Sequence, residues 1–332
     1  MRAVEITEFG GPEVLELRSV PEPAPSAREI LVKVHASGVN RADLLQRRGL
    51  YPPPPGESDI PGLEFAGTVE EAGAAVTRWK PGDRAMGIVA GGGYAEYVVV
   101  DERVAVRVPD DMELSVAGAI PEAYMTAFDG VFLQAGLKRG ETLLVHAMGS
   151  GVGIAAMQMA RQSGAHSIGT SRTGFKRGLA EEHCLGMALD GDAAWDKGVM
   201  EPTDGRGVDV ILDLVGAPYL ARNQAAIAKG GRHLVVGLTG GSRGEVDMRA
   251  LMARRASIHG TVLRARNVEE KAELAWKFSH EVMPWFRDKV FLPVIDTVFP
   301  AAKVVEAHRR MEANANFGKI VLVWGAGEEA VA

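Results

Sequence analysis

The residues best suited to chemistry lie at 146–156: His146-Ala147-Met148-Gly149-Ser150-Gly151-Val152-Gly153-Ile154-Ala155-Ala156. They follow the apolar run Thr142-Leu143-Leu144-Val145, which reads as a strand, and they open a helix expected from about Gly151 to Gln162. Glycines at such a turn let the backbone bend sharply and approach a ligand closely. Free N–H groups and the dipole at the helix start then favour an anion such as a diphosphate. Ser150, Gly151, Val152 and Gly153 are the candidate contacts, and Ser150 could also cap the helix. A purely structural turn would use the same glycines; the strand–turn–helix setting favours dinucleotide binding. Gly91-Gly92-Gly93 precedes a strand instead and reads as a plain loop.

An NAD site usually carries an acid roughly 20 residues after the first glycines, on the ribose 2′-hydroxyl. Here that region reads Gly169-Thr170-Ser171-Arg172-Thr173-Gly174-Phe175-Lys176, with no acid before Glu181. Ser171, Arg172 and Lys176 would suit a 2′-phosphate, so NADPH is favoured over NADH. Solvated cations at a loop are the other reading. Other chemistries leave no mark. There is no Gly-x-x-x-x-Gly-Lys-Ser/Thr loop, Met148 takes the place of the first glycine of a nucleophile elbow, and no His-Glu-x-x-His pair occurs. His146 reads as a structural strand-end histidine rather than a base.

The elements that must position these residues change character along the chain. Residues 1 to about 110 are strand-rich: Val14–Leu17, Ile30–Val34, Gly67–Glu70 and Tyr94–Val100 are β-branched runs separated by turn residues, as in a small barrel or sandwich. The run Tyr51-Pro52-Pro53-Pro54-Pro55-Gly56 must be a loop. From about residue 124 strands alternate with helices: 142–146, 167–170, 208–213 and 232–237 are strands, with a helix near 176–183. This pattern means βαβ units and a parallel sheet. A helical stretch follows residue 267. The terminal run Ile320–Trp324 reads as a strand returned to the N-terminal domain, and the last residues, 325–332, are expected to fray.

Composition narrows the function. A 332-residue chain with 46% hydrophobic and 24% charged residues suits a soluble protein of two domains. A net charge of −6 without a Lys/Arg cluster argues against nucleic acid. The start Met1–Glu8 lacks a signal peptide's apolar core, and no apolar stretch is long enough to span a bilayer. The single cysteine, Cys184, excludes an intrachain disulfide and a Cys-rich zinc site. These features point to the cytoplasm.

Taken end to end, the chain resembles the medium-chain dehydrogenase/reductase superfamily, and within it the zinc-free NADPH:quinone oxidoreductases of the zeta-crystallin-like branch. The resemblance rests on Ser37-Gly38-Val39-Asn40-Arg41-Ala42-Asp43-Leu44, Tyr51 with its prolines, and Pro61-Gly62-Leu63-Glu64-Phe65-Ala66-Gly67. Lys80-Pro81-Gly82-Asp83, the phosphate loop and Phe317-Gly318-Lys319-Ile320-Val321 complete it. It implies an α/β fold: a GroES-like β-barrel catalytic domain over 1–123 and 267–332, a Rossmann doubly wound parallel-sheet domain over 124–266, and an active site in the cleft. Zinc-dependent relatives carry a Cys ligand at the place of Asn40 and a His ligand at that of Leu63. An amide and an alkyl group cannot replace them, so no metal is expected, and Glu64 is read as structural.

The same resemblance implies that Asn40 and Tyr51 lie where nicotinamide and substrate meet, and that Thr126 borders the nicotinamide. These three are the expected catalytic residues. Ser171, Arg172 and Lys176 fall near the adenosine phosphate, and Gly216, Gly237, Leu238, Leu263, Phe317, Gly318 and Lys319 fall in loops bordering the cofactor. Tyr51 packed on prolines, or Thr126 bonded to its own backbone, are the structural alternatives. The implied activity is NADPH-dependent reduction of a quinone. The alternatives are reduction of an alkenal or enone, or a dinucleotide-binding protein with little turnover. A homodimer is implied, paired through a last Rossmann strand at Ser257–Leu263. Asn40 is expected to donate to the developing oxyanion, and turnover is expected to show no steep pH dependence between about 6 and 8, since no histidine is assigned a role.

Overall fold

A computed structural model describes residues 1–183 and 185–325. Cys184 and the tail expected to fray beyond Gly325 lie outside the described residues. The chain divides into two compact units: Met1–Met125 with Leu263 onward, and Thr126–Val262.

The first unit is built on β strands. These are β1 (Arg2–Ile6), β2 (Leu15–Ser19), β3 (Glu29–Val39), β4 (Glu64–Ala72), β5 (Arg84–Ile88), β6 (Tyr97–Asp101) and β7 (Val106–Arg107). The strands β14 (Ile295–Pro300) and β15 (Lys319–Val323) join them from the C-terminal segment. The main sheet runs β14-β15-β3-β4-β5-β7, with β6 also on β3, and β1-β2 forms a separate hairpin. The tail strand β15, expected in the N-terminal domain, lies antiparallel on β3 with Ile320 opposite Val39. β3 serves three partners: β6 pairs along its first half, β15 along its last residues and β4 along most of its length, with register shifts against β4 at Leu31/Val32 and Val34/Ala36. The strand expected from Tyr94 begins only at Tyr97. Ala95 bridges Ala3, and Glu96 takes both the backbone N–H and the guanidinium of Arg2 at 2.7 Å, so this stretch serves the hairpin instead.

The second unit holds six parallel strands: β8 (Thr142–His146), β9 (His166–Ser171), β10 (Met187–Asp190), β11 (Val208–Asp213), β12 (Ile227–Val235) and β13 (Ser257–Gly260). Their order, β10-β9-β8-β11-β12-β13, is the doubly wound Rossmann order, and the direction of winding reverses between β8 and β11. Ligands bind such sheets beyond the strand C-termini at that switch point. Leu144, Ile168, Trp195, Val208 and Ile211 share the core of this unit. The helix Gly151–Gln162 packs a face of small residues, Ala155, Ala156 and Ala160, and stops at Ser163 before Gly164, whose φ is 76°. β13 stops at Gly260, short of the expected Leu263, and is hydrogen-bonded along one side only. No helix among the described residues is long and apolar enough to cross a membrane.

Candidate active site

β8 delivers the chain to the phosphate loop at His146. The turn is made by Ala147 in the left-handed region, φ 54°, and the helix starts at Gly151. Ser150 caps it, its Oγ accepting from the Gly153 N–H at 3.0 Å, a contact worth about 1 kcal/mol. A Cβ at Gly153 would sit 2.8 Å from the Ala147 carbonyl oxygen and 2.9 Å from that of Met148, so a side chain there would displace the loop. Met148 is the one bulky side chain of the loop between His146 and Gly151. It is fully buried against Gly169, where a Cβ would lie 2.6–2.8 Å from its side chain. The missing side chain of Gly169 makes the room, and the loop keeps its shape.

Twenty residues on, β9 ends at Ser171, whose Oγ accepts from the Thr173 N–H at 3.2 Å. Arg172 is exposed. Lys176 is buried, its ammonium 5.9 Å from the Phe175 ring centre. Arg177, which residue spacing did not single out, braces this loop: it donates to the Ser171 carbonyl at 2.7 Å and pairs with Asp190 at 3.0 Å. Gly216 is buried at φ 87°, and a Cβ there would lie 2.6 Å from the Gly241 carbonyl oxygen. The Gly237 N–H is held by the Asp213 carbonyl at 3.1 Å, and Leu238 is exposed. Thr126 is buried and its Oγ1 has no partner, so the expected alternative of a bond to its own helix is not made. An unpaired buried hydroxyl costs roughly 1–3 kcal/mol. Together with the capped helix start, it fits a polar dinucleotide.

His146 itself is wholly buried, bonded through Nδ1 to Thr170 Oγ1 at 2.9 Å and through Nε2 to Asn223 Oδ1 at 2.7 Å. Burial pushes its pKa down to about 4, against the pull of Asp213 and Asn223. It is neutral at ordinary pH, in line with the structural reading of its position.

The first unit assembles a charged cluster. Lys319 is buried, and its three hydrogens go to Glu64 Oε1 at 2.6 Å, Asn40 Oδ1 at 2.7 Å and the Val39 carbonyl at 3.3 Å. Glu64 is the hub: Oε1 also accepts from Asn40 Nδ2 at 2.8 Å, and Oε2 accepts from the Glu122 N–H at 2.8 Å. Gly38 leaves room for this pair, because a Cβ there would strike the Glu64 carboxylate and the Lys319 ammonium. The expectation that Asn40 donates to a substrate oxyanion is therefore corrected. Its Nδ2 is occupied by Glu64 and by the Gly38 carbonyl at 3.2 Å, so both hydrogens have protein acceptors. Lys319 is likewise pinned inside the cluster. The place where zinc-dependent relatives hold metal thus carries an amide, the buried alkyl group of Leu63 and an ammonium that already neutralises Glu64. That donor set does not suit zinc. No group of three or more His, Cys, Asp or Glu among the described residues could hold a metal ion.

Two further carboxyls of the first unit are shifted toward neutrality. Asp43 is buried; its Oδ2 accepts from the Asn40 N–H at 2.7 Å and the Tyr94 hydroxyl at 2.8 Å, while Oδ1 has no partner. Burial pushes Asp43 up to about 6, with those donors and Lys319 pulling the other way. Burial, reinforced by the neighbouring Glu64 charge, pushes Glu122 up to about 8. Both carboxyls are pushed toward neutrality, and a search among histidines could not find them. Asp43 had a local signal, since Asn-x-x-Asp before a helix is a capping pattern; Glu122 had none.

Tyr51 is half-buried beside Arg264, whose guanidinium lies 5.0 Å from the ring centre and donates to the Tyr51 carbonyl at 2.9 Å. Arg264 also donates to the Ala90 carbonyl at 2.6 Å and Gln46 Oε1 at 2.7 Å, clamping three segments at once. Burial and the Glu122 charge push the Tyr51 phenol up. Leu263 and Phe317 are buried, and Gly318 adopts φ 89° with the Val294 carbonyl against its missing side chain.

Comparison with known proteins follows this geometry. Residues 26–110 match the model of the alcohol dehydrogenase GroES-like domain, and residues 183–322 match that of the zinc-binding dehydrogenases. The quinone oxidoreductase of Homo sapiens is 32% identical over 330 residues, which cover 97% of this chain and 98% of that protein. A mycobacterial protein solved in complex with NADPH is 32% identical, covers 98% of this chain and 100% of its own, and superposes with a TM-score of 0.87. The JamJ enoyl reductase, 24% identical with a TM-score of 0.87 over 97% of this chain and 98% of its own, is a likeness of fold.

Proposed function

This chain belongs to the zinc-free quinone oxidoreductase branch of the medium-chain dehydrogenase/reductase superfamily and is an oxidoreductase with an NAD(P)-type fold; from that premise we propose that it reduces quinones with NADPH. The observation that carries the cofactor choice is the end of β9. It presents Ser171 and the exposed Arg172 where an NAD enzyme presents an acid. Ser150 to Gly153 hold the diphosphate, Arg172 meets the 2′-phosphate, and Thr126 gives its unpaired hydroxyl to the nicotinamide end. Bound NADPH supplies the hydride. In the second unit Gly216, Gly237 and Leu238 border the cofactor; in the first, Lys319 acts by fixing Asn40.

Tyr51, held by Arg264, flanks the flat acceptor. Asn40 contributes as part of the Lys319–Glu64 cluster and not as a free donor. A quinone already has an electrophilic centre, and the hydroquinone anion spreads its charge, so alignment supplies much of the catalysis. One observation favours the second reading, reduction of an alkenal or enone. Glu122 keeps a proton at neutral pH, and a reduced C=C bond needs a proton at the carbon beside the carbonyl. Consumption of NADPH and NADH against a panel of quinones and enones tests both readings. Turnover with quinones and NADPH is expected. Turnover with enones alone removes the quinone assignment, and turnover with neither removes both acceptor classes. The one-sided pairing of β13 supports a homodimer joined edge to edge; light scattering should then read twice the chain mass.

A further inference from the structure

Beneath the dinucleotide loops of the second unit runs a chain of buried polar side chains that the proposed function leaves unused. It contains Thr170, His146, Asn223 and Asp213, none more than 1% exposed. Thr170 Oγ1 lies 2.9 Å from His146 Nδ1, His146 Nε2 lies 2.7 Å from Asn223 Oδ1, and Asn223 Nδ2 lies 3.0 Å from Asp213 Oδ2.

The direction of every bond follows from one end. Asp213 accepts at both oxygens: Oδ1 takes the Val215 and Gly216 N–H groups at 2.8 Å each, and Oδ2 takes His233 Nε2 at 2.9 Å as well as the Asn223 amide. Although burial opposes it, these donors and the nearby His146 hold Asp213 below the usual carboxylate range, so it stays an acceptor. The Asn223 nitrogen must therefore face Asp213 and its oxygen must face His146. An amide oxygen only accepts. Hence His146 carries its hydrogen on Nε2, its Nδ1 accepts, and the Thr170 hydroxyl donates. The edges of Trp195 and Tyr219, each 4.7 Å from the imidazole centre, hold the ring in place.

Both ends of this chain also hold a dinucleotide loop by main-chain bonds. The Thr170 carbonyl accepts from the Met148 N–H in the phosphate loop at 3.1 Å. The Asp213 carbonyl accepts from Val236 and Gly237, and its carboxylate shapes the turn at Gly216. Asn223 is the link between the two ends.

We propose that Asn223 is a positioning residue for the dinucleotide: through His146 it locks the Thr170 end, with the phosphate and 2′-phosphate loops, to the Asp213 end, with the Gly216 and Gly237 loops. The proposal rests on the reading that these loops border the cofactor. A neutral buried hydrogen bond is worth about 0.5–1.5 kcal/mol, so Thr170→Val should weaken NADPH about 3–10-fold. Asn223→Ala, which unpairs groups on both sides, should weaken it about 10-fold or more. Because the hydroxyl acts through Asn223, the double variant should bind within about 2-fold of Asn223→Ala. The kcat at saturating NADPH should stay within about 2-fold while KM for NADPH rises, a split that general loosening would not give.

Calorimetric titration of NADPH measures the affinities. Folded variants that bind as the unsubstituted protein does, or losses that multiply in the double variant, overturn the proposal. The unsubstituted protein gives a second measurement that needs no variant: imidazole nitrogen NMR should show His146 with its hydrogen on Nε2, and a hydrogen on Nδ1 would overturn the chain. If the unsubstituted protein binds neither NADPH nor NADH, the cofactor reading falls and takes the proposal with it. If it binds while the variants are unaffected, only the proposal falls.

Discussion

The two units bury polar side chains in opposite styles. Around Lys319 the first unit gathers three carboxyls, Glu64, Asp43 and Glu122, and two of them are pushed up to about 6 and about 8. The second unit runs a hydroxyl, a neutral imidazole and an amide into one carboxylate that is kept ionised by its donors. Fixed neutral dipoles define geometry over a wide pH range. Crowded carboxyls in a dry site hold protons that come off near neutrality. One unit thus holds its polar chain in a single hydrogen-bonded arrangement, and the other holds carboxyls that are pushed toward neutrality. Both lie on the same physical scale, since burial penalises charge in each; the number of donors facing each carboxylate decides the outcome.

The largest effect expected from this contrast is at Lys319. Lys319→Met strands the Glu64 carboxylate at a site with no solvent exposure, and breaking a buried pair from one side costs about 3–5 kcal/mol. Denaturant unfolding should register that loss, and adding Glu64→Gln should recover a large part of it. A single variant that loses less than about 1 kcal/mol would mean that the first unit tolerates free charge and that the contrast is misdrawn.

Next in size is Arg172→Ala. A bond to a charged group is worth about 1.5–3 kcal/mol, so NADPH affinity should fall roughly 10–100-fold while NADH is nearly unchanged. Lys176→Ala should instead lower stability with little change in cofactor preference, because that side chain is buried. Equal losses for NADPH and NADH at Arg172 would remove it from the 2′-phosphate.

Glu122→Gln separates the proton-holding unit from the other. The raised pKa means that the folded protein binds a proton the unfolded chain has lost. The stability contributed is therefore complete below the ordinary carboxylate range and disappears as pH rises to about 8. Melting temperature should decline over that window in the unsubstituted protein. The variant should lose the upper part of the slope, keeping the portion below about pH 6 that belongs to Asp43. Each kcal/mol corresponds to a shift of ~2–4 °C. Identical profiles for the two proteins would remove Glu122 from the titration. The smallest expected effect is that of chelation: prolonged treatment should leave activity and melting temperature unchanged, and one stoichiometric zinc on elemental analysis would contradict the donor set at Asn40 and Leu63.

Much of the second unit was legible because its signals are local. Gly151–Gln162 is a helix with Ser150 as its cap, as the spacing predicts, because glycine turns and caps act within a few residues. The strand–helix alternation likewise predicted a parallel sheet, and the tail strand was expected in the N-terminal domain, where the structure pairs it with β3. Arg172 was named for its charge and Leu238 from the family resemblance, and nothing in the spacing told the exposed Arg172 from the buried Lys176 four residues on.

By itself, then, the sequence determined the glycine turn with its capped helix, the basic end of β9 and the alternation of strands and helices in the second unit. Each depends on residue type within a short window. Tertiary structure decided what Asn40, Lys319, Glu122 and Asn223 do. Lys319 reaches Asn40 across 279 residues, Asn223 reaches His146 across 77, and Asn40 reaches Glu64 across 24. Such contacts leave no fixed spacing, because strand pairing and not chain distance brings the groups together. The protonation of Glu122 follows the same logic: burial and the Glu64 charge raise it, and both exist only once the sheet has closed around them.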